Sequence, residues 1–87
     1  MKKSRELQGN KMYRFLFIIE KGNENYGAYS PDLPGCVAVG DTIEEVEKNM
    51  AEAIKMHLRG MIEDREPIPI PQTTARYMDI AVPDSTA

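Results

Sequence analysis

Between Ile43 and Met61 the residues Ile43, Val46, Met50, Ala53, Ile54, His57, Leu58 and Met61 recur at helical spacing. That periodicity gathers them into one stripe along a single amphipathic helix. No other feature restricts the fold as much, because one helix can cover one side of a small sheet and must leave the other side to something else. The start of the helix is well specified. Thr42 with Glu45 has capping-box spacing, Asp41 with Glu44 has it in the neighbouring register, and acidic residues crowd the first turns while Lys48, Lys55 and Arg59 follow. The helix must end before Pro67, since the prolines of "PIPIP" exclude helix and favour an extended path.

Strands account for most of the remainder. "MYRFLFIIE" (Met12 to Glu20) is rich in aromatic and β-branched residues; Tyr13, Phe15, Phe17 and Ile19 fall on one face, and Arg14, Leu16, Ile18 and Glu20 on the other. With apolar residues in the middle of both sets, this strand is expected to be central. "KGNEN" (Lys21 to Asn25) reads as a hairpin connection, and "YGAYS" (Tyr26 to Ser30) as the returning antiparallel strand. "CVAVG" (Cys36 to Gly40) reads as a third strand, and "RYMDIAV" (Arg76 to Val82), beyond the helix, as a fourth. The expected architecture is α+β, in the order β-β-β-α-β, with residues 12–82 as one domain, a flexible tail at 1–11 and a short tail at 83–87.

The connection "SPDLPGC" carries two turn signals. Pro31 fixes φ for a turn that begins at Ser30, and Pro34-Gly35 suits the central positions of a type II turn. Leu33 lies between them, held extended by the proline after it. Pro31, Leu33, Pro34 and Gly35 are thus expected to make a rigid loop that aims Leu33 inward. Leu16 and Ile18, on the strand face opposite the helix, are expected to meet a second copy of the chain, as dimer or tetramer. The alternative cover is the tail or the proline segment folding across the sheet.

Several function classes are disfavoured by composition. With one cysteine and one histidine, Cys36 and His57, a single chain has neither an intrachain disulfide nor a thiolate or histidine metal cluster. Cys36, set among alternating apolar residues, reads as a buried strand cysteine, and His57, on the apolar stripe, as a packed or interface residue. No phosphate-cradling glycine loop, nucleophile elbow or metal-binding spacing is present, and no cofactor or metal is expected. Residues 1–11 carry a charge of +3, so the overall −3 leaves −6 for residues 12–87. Such a body is a poor match for phosphate backbones and a better one for a basic protein. No apolar run is long enough to span a membrane, and no apolar h-region follows the basic N-terminal residues, so a cytoplasmic location is expected.

The run Tyr29-x-Pro31-Asp32-Leu33-Pro34-Gly35-Cys36, followed by Gly40-Asp41-Thr42, Glu44-Glu45, Asn49, Glu52-Ala53-Ile54 and Pro69-x-Pro71, resembles the HicB-like antitoxin family. The resemblance spans Met12 to Val82, nearly the whole body of the chain. It implies a partial RNase H-like fold, with the helix packed on a small, mostly antiparallel sheet that the last strand completes. It also implies a non-catalytic partner that binds a small basic mRNA-cleaving toxin of the HicA type and masks its RNA-binding surface. Full-length relatives continue into a DNA-binding domain after the last strand, and this sequence ends at Ala87, so direct DNA binding is not expected.

The acidic residues Asp32, Asp41, Glu44 and Glu45, presented by the proline loop and the helix start, are the expected contact surface for such a toxin; Asp41, Glu44 and Glu45 are equally suited to capping the helix. Two other functions stand beside this one. An orphan oligomeric module would bind another protein or a ligand between subunits. A residual metal-dependent nuclease would need converging carboxylates from Glu44, Glu45 or Glu47 and Asp79, but the centre of the first strand offers none. No catalytic residue is assigned.

Overall fold

The computed structural model describes residues 11–84. Three antiparallel strands, β1 (Ile18–Lys21), β2 (Tyr26–Tyr29) and β3 (Val37–Gly40), are followed by one long helix, α1 (Ile43–Glu63). The sheet order is β1-β2-β3, with β2 in the middle. The class is α+β, as the sequence indicates. The expected tail at 1–11 lies outside the described residues except for Lys11, as do residues 85–87 of the other expected tail.

Two expectations about the strands need correction. The first strand is not central: among the described residues it lies at the sheet edge and pairs with β2 alone. Its ladder is also short, although the chain before it is rich in strand formers. Ile18 pairs with Tyr29, so Leu16 would face Pro31, which has no N–H to donate. The Ser30 hydroxyl donates to the Leu16 carbonyl instead, at 2.8 Å. The pairing therefore stops where Pro31 opens the next turn. The second correction concerns residues 76–82, which the sequence assigns to a fourth strand. They form no ladder with the described residues and are exposed throughout.

The pleat sorts the strands into two rows. Ile19, Ala28 and Ala38 are neighbours across the sheet on the helix side, and Ile18, Tyr29 and Val37 are neighbours on the other side. Helix α1 crosses β3 and β2, and its stripe closes the core: Val46 and Met50 are fully buried, with Ala53, Ile54 and Leu58 packed alongside. Each fully buried side chain of this size contributes about 1.5–3 kcal/mol relative to exposure. The approach is close. A Cβ on Gly40 would lie 2.6 Å from the Val46 backbone nitrogen, so only glycine lets the end of β3 pass under the first turn of α1.

Both helix ends are capped. Thr42 accepts from the Glu45 N–H at 3.0 Å, and the Glu45 carboxylate accepts from the Asp41 N–H at 2.7 Å. At the other end Arg65 takes a left-handed φ of 59°; its N–H donates to the Ile62 carbonyl and that of Glu66 to the Met61 carbonyl. That pair of bonds is a Schellman closure, with arginine where glycine is usual. The chain then leaves through Pro67, Pro69 and Pro71.

Candidate functional site

The connection from β2 to β3 and the head of α1 form one continuous surface. Two turns follow each other: the Leu33 N–H donates to the Ser30 carbonyl at 3.1 Å, and the Cys36 N–H donates to the Leu33 carbonyl at 3.0 Å. Gly35, with φ of 85°, occupies the position of the second turn that requires a left-handed backbone. Between the turns, Leu33 is fully buried against the core. Pro34 and Gly35 are exposed, and Pro31 is half-buried. The loop therefore hangs from one buried anchor and shows a backbone held by hydrogen bonds on both sides.

The four acidic residues assigned to partner contact are differently engaged. Asp32 is taken up by the chain itself: Thr73 donates to it twice, from its hydroxyl at 3.0 Å and its backbone N–H at 3.3 Å. Glu45 serves the cap described above. Asp41 contributes its backbone N–H to that cap, while its carboxylate and that of Glu44 make no hydrogen bond or ion pair among the described residues. Both are exposed at the head of the helix. The Asp32–Thr73 contact is not legible in the sequence, because the two residues are 41 positions apart. Nor is the bond by which Asn49, through its side-chain amide, donates to the Val39 carbonyl at 2.8 Å and so ties α1 to β3.

Leu16 and Ile18, expected on an oligomer face, lie half-buried on the side away from α1. A cleft of about 550 Å³ runs along Leu16 to Ile19, bounded by Glu47 and by Ala75, Arg76 and Tyr77. A second, of about 480 Å³, separates Arg14 to Phe17 from Pro71 and Thr73 to Ala75. Cys36 is buried, and desolvation raises its thiol pKa above the usual value. His57 is half-buried and borders a shallow hollow with Cys36, Val37 and Met56. Among the described residues no group of three or more His, Cys, Asp or Glu side chains is placed to hold a metal ion. No helix among them is long and apolar enough to cross a membrane.

The fold and the loop define a small α+β domain, with a pinned turn pair beside an acidic helix start. Residues 15–84 match the HicB-like antitoxins of bacterial toxin–antitoxin systems, and the chain belongs to that family. It is 43% identical over 61 residues to an uncharacterized 14.9 kDa protein in the rep-hol intergenic region of Haemophilus phage HP1, covering 70% of this chain and 46% of that one. A UPF0150 protein of Synechocystis is 32% identical over 72 residues, covering 82% of this chain and 91% of that one. The chain thus spans less than half of the phage relative and nearly all of the cyanobacterial one. Among solved structures, a chain of the HicA3 and HicB3 toxin–antitoxin complex matches with a TM-score of 0.57 at 33% identity, over 67% of this chain and 66% of that chain.

Proposed function

We propose that this protein is a non-catalytic, cytoplasmic antitoxin that neutralises a small basic mRNA-cleaving toxin of the HicA type by covering its RNA-binding surface. The likeness to a chain of the HicA3 and HicB3 complex, at 33% identity, carries the reading. The charge of −6 on residues 12–87 supports it, since complementary fields speed encounter and reject wrong partners. Asp41 and Glu44 are the contacts of choice. Their carboxylates are exposed and uncommitted within the described chain, whereas Asp32 and Glu45 have structural partners. We read the fold as a partial RNase H-like one that keeps the sheet and helix without a nuclease centre.

The test is co-expression and titration with a small basic protein encoded beside this one. Neutralisation of its growth arrest, and binding that weakens with salt, are expected. Charge reversal in Asp41→Lys with Glu44→Lys should lower affinity at least ~10-fold, as loss of interfacial charge pairs does. Unchanged affinity and salt dependence would remove the proposed contact surface.

A second reading, an oligomeric module that binds another protein or a ligand between subunits, draws on a different observation. In the apolar row opposite the helix Tyr29 and Val37 are exposed, as are Met78, Ile80 and Val82. Self-association is part of both readings.

A further inference from the structure

The segment from Arg76 to Val82 has the composition of a strand and pairs with no strand among the described residues. Met78, Ile80 and Val82 alternate onto one face and are 81%, 67% and 77% exposed, and Tyr77 before them is fully exposed. The prolines at 67, 69 and 71 make the connection from α1 stiff and extended rather than free to coil. The chain measures 72 Å along its longest axis and 28 and 24 Å along the others. Helix α1, with 21 residues, accounts for only about 32 Å of that length, and the rest is extended chain.

The same chain carries a matching vacancy in its hydrogen bonding. Among the described residues strand β1 pairs on one side only, and an open edge of this kind is a template for another strand. Beside it runs the cleft of about 550 Å³ along Leu16 to Ile19, which Ala75 to Tyr77 border without filling. The arm thus borders the β1 edge of its own body and is pinned just before it by the Thr73–Asp32 contact, while Met78, Ile80 and Val82 beyond Tyr77 are exposed.

We infer that Arg76–Val82 is a fourth strand given to a second copy of the chain, where it adds to the open edge of β1, while the partner's arm is received in return. A donor and an acceptor on one chain close under two-fold symmetry, with each arm in the other's cleft. Main-chain bonds supply the pairing, and the face carrying Met78, Ile80 and Val82 supplies the apolar contact. Two arms would bury roughly 1,000 Å² of their own surface and about as much of the strands that receive them, the size of a standard stable interface. Exchange also explains why a sequence rich in strand formers is unpaired in the single chain. It rests on the reading of this protein as self-associating and is independent of toxin binding.

The test uses the full chain at micromolar concentration. Light scattering should give a dimer or an even multiple of it. In a sample mixing isotope-labelled and unlabelled chains, contacts from the Met78 and Ile80 methyl groups should reach Leu16 to Ile19 of the differently labelled copy. The variant Met78→Glu with Ile80→Glu alters only exposed positions, and should halve the mass while the far-ultraviolet circular dichroism of the body persists. A monomeric wild type overturns the inference, as do contacts confined to one labelled copy. A variant whose mass is unchanged overturns the exchange and transfers self-association to the Ile18, Tyr29 and Val37 face. Toxin binding that survives in the monomeric variant separates the fate of this inference from that of the antitoxin reading.

Discussion

The two sides of the sheet are built from the same three strands and are similarly apolar, yet they end in different states. On the helix side Ile19, Ala28 and Ala38 lie under α1, and Leu33, Val46 and Met50 are removed from water. On the other side Ile18, Tyr29 and Val37 form an equivalent row, with Val37 at 63% exposure. Residue type does not separate them. The supply of cover does: one amphipathic helix closes one side, and among the described residues no second helix lies on the other. A side chain's contribution to stability should accordingly depend on its row more than on its hydrophobicity.

The largest test of that contrast is Leu33→Ala. Leu33 is fully buried and anchors two turns, so truncation removes core contacts and leaves a cavity, at a cost of about 2–5 kcal/mol. That is a large share of the stability available to a domain of this size, and urea denaturation should show either a much lower midpoint or no folded baseline. Val37→Ala, on the uncovered row, should shift the midpoint by no more than about 0.5 kcal/mol when measured on the dilute single chain. Equal effects at the two positions would mean that both rows are covered in solution.

A second test probes the closeness of the covered side. Gly40→Ala places a methyl group 2.6 Å from the Val46 nitrogen. The obstacle is backbone at the start of α1, which cannot turn aside like a flexible side chain. The expected cost is about 2–3 kcal/mol, read as a lower thermal midpoint. A neutral result would show that α1 lifts from β3 without penalty.

These contrasts also show which parts of the molecule the sequence could disclose. The helix stripe, the turn residues and the hairpin are local patterns, and each is fixed by residues a few positions apart: Thr42 with Glu45, Pro34 with Gly35, Tyr26 to Ser30 after a polar loop. The antiparallel order of three strands and the helix follows from them. What the sequence left hidden is non-local. The edge position of β1 depends on whether another strand lies beside it, and the apolar residues on both its faces are equally consistent with a central strand. The end of the β1–β2 ladder depends on Pro31 standing opposite Leu16, visible only once the register is known. The strand propensity of Arg76 to Val82 is legible, but propensity does not name the partner, and within one chain there is none among the described residues. The acidic site divides in the same way. The capping role of Glu45 is readable from its spacing to Thr42, whereas the commitment of Asp32 to Thr73 depends on a contact across half the molecule.

The smallest effect distinguishes capping from partner contact at the head of α1. Thr42→Ala removes the acceptor for the Glu45 N–H and should cost about 1 kcal/mol. Glu45→Gln keeps an oxygen that can accept from the Asp41 N–H but loses the charge that favours the positive end of the helix dipole, an effect of about 0.3–1 kcal/mol that salt should screen. Because the Thr42 hydroxyl and the Glu45 carboxylate make the two bonds of one cap, the double variant should lose less than the two single losses added together. That non-additivity belongs to a cap and not to a binding contact. If Glu45→Gln instead leaves urea stability untouched while weakening toxin binding, its carboxylate belongs with Asp41 and Glu44 on the outward-facing surface, and the covered side of the molecule is held by Thr42 alone at that end.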